Sequence, residues 1–319
     1  MNKKIPLRSI VPVAIPLFLL AVFTFCIVFP EFVPFLQVHQ KSYPGIGSET
    51  VTVPGVNGRG RAIRFVLKKV PSGVSPSECT DVPGGTVVTD PFMLAETEVT
   101  VGLWDRVVAL SAGTGYSFDR PAAASNPRFP VEKVSWRNAV VWCNALSEVL
   151  SLDPVYYADE GLAVPVRSAL ELASLSDEPY IRKDSRGFRL PSSMEWELAA
   201  RYIDGETWTR GGSPSGSAAL YFDGSLASGY AVFLRDGPEP VRTKASNRLG
   251  IYDMSGSVWE WCFDRFSPSG EDEIAYAKRV VRGGSWSSNA YRLQIGGRFG
   301  TLPDAVERGQ GFRVARSGW

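Results

Sequence analysis

Tryptophan, glycine and proline set the tightest limit on what this chain can become: its 319 residues carry nine Trp, 31 Gly and 23 Pro. Each indole needs a large buried site, while Gly and Pro cut helices and strands short at frequent intervals. That mixture argues against a helical bundle. What it suggests is a compact, loop-rich domain in which rigid rings fill the space between short elements. Trp259-Glu260-Trp261 shows this on a small scale, since alternation around Glu260 turns both indoles to one layer if the segment is extended. A hydrophobic fraction of 44%, with 12% aromatic, is ample for such a core.

Charge and histidine remove whole classes of function. A formal net charge of +1 gives no basic face for nucleic acid. The sole histidine is His39, close behind a hydrophobic N-terminal run. Histidine-centred zinc sites, His-dependent triads and the usual facial-triad iron site are therefore absent from the body of the chain.

The N-terminus reads as an address. Lys3, Lys4 and Arg8 precede an uncharged stretch over residues 10–30, and Glu31 is the first charge after it. Such a stretch is long enough to span a bilayer, and the basic residues before it favour a cytoplasmic start. Residues 1–9 are then a cytoplasmic basic tail, residues 10–30 a transmembrane anchor or signal segment, and the rest lies outside the cytoplasm, in a periplasm or at a cell surface. Simple cleavage and lipidation at Cys26 are the competing fates. No small-x-small cleavage site is evident, and Phe25 is large where a lipidation motif wants a small residue.

Residues 31–61 read as a linker, polar and dotted with Gly and Pro, whose later part is a tether or an early edge segment. Gly55, Gly58 and Gly60 have the wrong spacing for a dinucleotide-binding loop and read as a turn. The domain proper is expected over 62–319, opening on a strand at 62–67. Helices are expected from Val101 to Leu110 after Thr100, after the N-cap Ser135, and after Ser192, whose spacing to Glu195 is that of a capping box. Long loops pinned by isolated rings follow from Asp204 to Asn247. Short strands are expected at 277–281 and 311–315.

Six segments then occur in a telling order: Phe92 to Thr100 (FMLAETEVT), Pro130 to Trp136 (PVEKVSW), Gly187 to Glu197 (GFRLPSSMEWE), Asn247 to Trp261 (NRLGIYDMSGSVWEW), Arg282 to Trp286 (RGGSW) and Gly311 to Ala315 (GFRVA). Together they make the chain resemble the formylglycine-generating (sulfatase-modifying factor) family over about 62–319. The resemblance implies an α+β domain related to the C-type lectin fold, loop-rich with short strands and few helices, preceded here by the single N-terminal transmembrane helix. Within it, Gly283 and Gly284 are expected to permit close backbone approach, and Arg282 and Arg313 to tie loops through carboxylates or carbonyls.

The chain departs from the family where the chemistry lies. Catalytic members convert a substrate cysteine to formylglycine with two cysteines that bind copper(I), a soft metal suited to thiolates. The matching positions here hold Ser288 and Leu293, and no cysteine follows Cys262. Copper is therefore not expected, and the iron-binding offshoot of the family is excluded by the missing histidines. A structural calcium, common near the family's Gly-Asn-x-Trp-Glu segment, would fall to Glu260 and Ser257, with serine standing where asparagine is usual. Cys143 and Cys262 read as small buried hydrophobes, while Cys79 could pair with either of them outside the cytoplasm.

With the thiols gone, two functions remain. The first is a binding module for an extracytoplasmic protein, peptide or glycan, using Trp286, Ser287, Ser288, Asn289, Tyr291, Arg292, Arg298 and Phe299, a composition typical of recognition loops. The variable proteins of diversity-generating retroelements are similar in this same C-terminal region. The second is an enzyme with an altered mechanism, for which Glu260, Asp264, Arg292 and Arg298 are the available groups.

Overall fold

In the computed structural model, which describes residues 46–74, 88–119, 126–266 and 278–318, two sheets hold the chain together. The first has five strands in the order 48–53, 63–70, 92–95, 315–317 and 188–189. The second has four, in the order 298–301, 279–282, 259–265 and 310–311. These elements belong to one unit, Tyr43–Trp319. The outcome is the expected mixed architecture of few helices, short strands and long loops. Residues 1–30, on which the anchor was read, and Cys26 and Cys79 lie outside the described residues. Among the described residues no helix is long and apolar enough to cross a membrane.

The helices start where the sequence signals them. Thr100 accepts a bond from the Leu103 amide at the head of Val101–Leu110, and Ser135 does the same for Asn138 at the head of Trp136–Val149. In Ser193–Arg201 both halves of the capping box form, Ser192 with the Glu195 amide and Glu195 with the Ser192 amide. A second capping box, Ser168 with Glu171, opens the short helix Ala169–Ser174.

Two cores flank the first sheet. Leu67, Met93 and Ala95 pack with the helices Val101–Leu110 and Trp136–Val149, where Trp104 and Trp142 stack at 5.9 Å and Phe312 meets both edge-on. Val70, Phe92 and Leu94 on the opposite face pack with Trp196, Leu198 and Ala199 of Ser193–Arg201. Asn144 is buried but satisfied. Its amide donates to the Tyr156 and Val166 carbonyls and its oxygen accepts from the Val155 and Tyr156 amides, which pins that loop to the helix.

One expectation is resolved and one corrected. Within the stretch 31–61 read as linker, whose later part reads as either a tether or an edge segment, Ser48–Val53 is the edge segment, a strand paired in full with Ile63–Val70. It is an edge strand whose Val51 and Val53 are buried while its other side chains are polar, so composition masks it. The single strand expected over 311–315 is split: Gln310–Gly311 pairs with the second sheet, Ala315–Ser317 with the first. Phe312–Val314 crosses between the two, with Arg313 bonded at the crossing to the Ala95 and Tyr252 carbonyls.

Candidate functional site

The second sheet separates two environments by simple alternation. Register places Glu260 opposite Arg282 and Arg282 opposite Arg298, whereas Val281 lies opposite Trp261 and Phe299. Glu260 and Arg282 therefore share one face, which looks toward the helix Ser193–Arg201, and Trp259, Trp261, Val281 and Phe299 share the other.

The first face carries a buried ionic layer. Arg313 forks onto Glu260, Nε to Oε2 and Nη2 to Oε1, both at 2.6 Å, and the indole of Trp196 donates to Oε2 at 2.7 Å. Arg282 reaches Glu197 at 3.0 Å and the Ile295 and Gly297 carbonyls at 3.2 Å, and Arg201 completes the layer by bonding Glu197 at 3.0 Å. Glu260, Arg282 and Arg313 are all fully buried. The expectation that Arg282 and Arg313 tie loops through carboxylates and carbonyls describes these contacts. Beside the layer lies Glu98, buried, with neither carboxylate oxygen hydrogen-bonded. Burial, then the neighbouring Asp253, pushes its pKa well above the usual carboxylate range. Burial likewise pushes Asp253 up to about 6, against the hydrogen bond it accepts from the Arg242 amide.

This layer also bears on metals. The carboxylate expected as a calcium ligand, Glu260, already accepts three donors, and Ser257 lends its backbone to Val232 and Trp286. Those residues as arranged do not fit a cation without displacing Arg313. Among the described residues no group of three or more His, Cys, Asp or Glu side chains is placed to hold a metal. Copper fits no better: Ser288 offers a hydroxyl, and Leu293 is fully buried against Ala227, Ala231 and Phe233.

The second face opens into a pocket of about 500 Å³. Trp259, Val281 and Phe299 form its floor, with Trp259 meeting Phe299 edge-on at 5.0 Å. One wall is the segment after the double glycine. Gly283 and Gly284 both adopt positive φ, at 92° and 83°, and a Cβ on Gly284 would stand 2.9 Å from the Arg292 carbonyl oxygen. The resulting turn gathers Ser285, Ser287 and Ser288. The Ser285 hydroxyl lies 3.1 Å from that of Ser287 and 3.2 Å from that of Ser288, whose oxygen also accepts the Ser285 amide at 2.9 Å. Asn289 and Arg292 extend this wall, and Glu307 and Arg308 line the pocket as well.

Of the residues singled out in the sequence, Ser287, Ser288, Asn289, Arg292 and Phe299 meet here. Trp286 does not line the pocket; it is buried, donating its indole N–H to Glu132 at 3.0 Å. Tyr291 stands exposed, edge-on to Tyr221 at 5.7 Å, and Arg298 lies over the Phe266 ring at 5.7 Å. The four groups weighed for catalysis do not converge: Glu260 is spent on Arg313, Asp264 accepts the Ser193 amide at the head of a helix, and of the four only Arg292 lines the pocket. Sequence reasoning missed Glu307 and Arg308, whose only signal is that they directly precede the Gly309-Gln310-Gly311 return strand. Cys143 and Cys262 are buried free thiols, and burial raises that of Cys143 far above its ordinary value.

Residues 48–318 match the sulfatase-modifying factor enzyme 1-like domain family. The chain is 30% identical over 246 residues to a protein named chaperone protein LppX from Paenibacillus barcinonensis, covering 72% of this chain and 82% of that one. It is 34% identical over 140 residues to the inactive C-alpha-formylglycine-generating enzyme 2 of Mus musculus, covering 41% of this chain and 44% of that relative, so it spans less than half of the latter. The solved structure of Treponema denticola variable protein 1 superposes with a TM-score of 0.65 at 27% identity, covering 85% of this chain and 99% of its own.

Proposed function

The chain belongs to the formylglycine-generating (sulfatase-modifying factor) family, and on that premise we propose that it has kept the scaffold, lost the oxidative chemistry, and uses the pocket to hold a segment of another protein outside the cytoplasm. The observation that carries this reading is the fate of the two family cysteine positions. Ser288 is a pocket wall residue and Leu293 is a core residue, while the segment bearing them still lines an open pocket floored by aromatic rings. A site without thiolates but with rings, hydroxyls, an amide and a guanidinium is built for recognition rather than redox work.

The relatives supply the direction. One bears an inactive name within the same family, which supports a pseudoenzyme. Another is named a chaperone, which favours a protein segment over a glycan as ligand. Likeness to a variable protein supports a further element of the proposal, that the residues facing the pocket are diversified by a retroelement. The uncharged run over 10–30 supports an anchor that keeps the domain at the membrane.

A selection experiment tests the binding reading. The full chain in detergent micelles is panned against a displayed library of random heptapeptides, in parallel with Ser288→Trp, which fills the pocket mouth without adding charge. Peptides enriched on the wild type and lost on the variant support the proposal. Enrichment that is equal on both, or absent, sinks it. Sequencing the segment for residues 286–299 across isolates addresses diversification separately, and invariance there removes that element alone.

A further inference from the structure

We infer that the ligand of this pocket is an acidic peptide: an extended segment that presents an Asp or Glu carboxylate to Arg292 and Arg308 and lays an apolar neighbour on Trp259 and Phe299. This rests on the binding reading and specifies its chemistry.

The argument begins with two cations. The Arg292 guanidinium lies 4.0 Å from the Phe299 ring centre, and that of Arg308 lies 4.9 Å from the Trp286 ring centre. Both arginines line the pocket. Three arginines of or beside the sheet each pair with a carboxylate: Arg313 with Glu260, Arg282 with Glu197, Arg279 with Glu178. Neither Arg292 nor Arg308 has one among the described residues. The side chain of Arg308 makes a long bond to the Asp236 carbonyl at 3.4 Å, and that of Arg292 is engaged only by rings.

Stacking matters because of what it leaves free. A guanidinium held against a ring loses rotamer freedom while the ring takes none of its N–H bonds in the way a carboxylate does. An arriving carboxylate therefore pairs with less ordering cost than on a mobile side chain. Glu307 is the one acidic residue of the lining, against two arginines. The serine hydroxyls and Asn289 supply further donors around the same mouth.

Polar groups alone would fit any small anion. The surroundings select a peptide. The floor offers two aromatic rings, and large apolar side chains stand out at the rim: Tyr291 is 55% exposed, Leu234 64% and Val306 55%. Leu234 is fixed beside the pocket wall, its amide donating to the Ser288 carbonyl, and Val306 directly precedes the pocket residue Glu307. A peptide segment that carries a carboxylate beside apolar side chains matches this combination of arginines, rings and exposed apolar neighbours.

The test uses the heptapeptides recovered in the selection above, made synthetically and titrated by fluorescence anisotropy against the full chain. Enriched peptides are expected to carry Asp or Glu, and replacing that residue by Asn or Gln is expected to weaken binding roughly tenfold or more, the loss of one charge-assisted fork. Arg292→Gln and Arg308→Gln should each produce a comparable loss, and Arg292→Glu should shift the selection toward Lys- and Arg-bearing peptides. Unchanged melting of these variants keeps folding out of the comparison. If pocket-dependent peptides are recovered but tolerate Asp→Asn and the arginine replacements, the acidic assignment is overturned while the binding reading stands. If no pocket-dependent peptide is recovered, the binding reading fails and takes this inference with it. Binding of inorganic phosphate or acetate as tight as that of the peptides would also overturn it, since the apolar rim would then contribute nothing.

Discussion

Glu260→Gln is the substitution that most directly probes how this fold is held together. The side chain keeps its shape but loses its charge, leaving the fully buried Arg313 guanidinium without its hydrogen-bonded counter-ion and with only the more distant Glu98 and Asp253 carboxyls beside it. Two bonds of 2.6 Å change character, and the amide's own N–H now faces arginine donors. Breaking one side of a buried pair typically costs about 3–5 kcal/mol, because the remaining charge has no water to return to. For a domain of this size that corresponds to a fall of about 6–20 °C in melting temperature. Thermal unfolding followed by tryptophan fluorescence reads it, since Trp196 donates to the same carboxylate. The second arm is Glu260→Gln with Arg313→Met. Removing the stranded charge should recover part of the loss, less the cost of freeing the Ala95 and Tyr252 carbonyls that Arg313 also satisfies. A single-variant loss below about 1 kcal/mol, or strict additivity of the two substitutions, would refute the claim that the pair acts as a unit.

Three further outcomes are expected. Folded-state pKa values raised above the unfolded range, as for Glu98 and Asp253, mean that the native state holds extra protons, so stability falls as pH rises from about 4 through the folded pKa of Asp253 at about 6 and beyond for Glu98. Glu98→Gln should flatten that slope and raise the melting temperature at pH 8; an equal drop at pH 5 and pH 8 would contradict it. Iodoacetamide should leave Cys143 and Cys262 unmodified in the native protein and label both after denaturation, as buried free thiols require; fast native labelling would refute their burial. Incubation with copper and a cysteine-containing sulfatase-motif peptide should yield no formylglycine by mass spectrometry beside an active family member, and any conversion would overturn the pseudoenzyme reading.

Local signals in the sequence carried the scaffold well. Ser192 with Glu195 predicts its helix because a capping box is a contact between residues three apart. The same pattern at Ser168 and Glu171 was equally available but heads only a single short turn-and-a-half. Trp259 and Trp261 sharing a layer followed from period two. What local pattern could not give is where a strand goes after it leaves a turn. Residues 311–315 look like one strand, yet Gly311 and Ala315 belong to different sheets because Arg313 must enter the core between them to reach Glu260. Trp286 looked like a recognition residue for the opposite reason: nothing nearby in sequence announces Glu132, its half-buried partner more than a hundred residues earlier. The missing pocket wall, Glu307 and Arg308, is likewise brought in only by the return strand.

These failures and successes have one physical basis, which also bears on function. Along 259–261, 281–282 and 298–299 successive residues alternate between the ionic layer and the pocket face, so a change on one face need not disturb the other. The wall segment is fastened at two points, Trp286 through its bond to Glu132 and Leu293 in its apolar cluster. Between those anchors Ser287, Asn289 and Tyr291 are exposed. The stability of the domain therefore resides in the anchors and the buried charges, and the residues between them are free to be chosen for what they bind. Glu260 and Arg282 are wholly consumed by structure. That separation is what the proposed recognition module requires, since replacing residues of the wall segment leaves the ionic layer untouched.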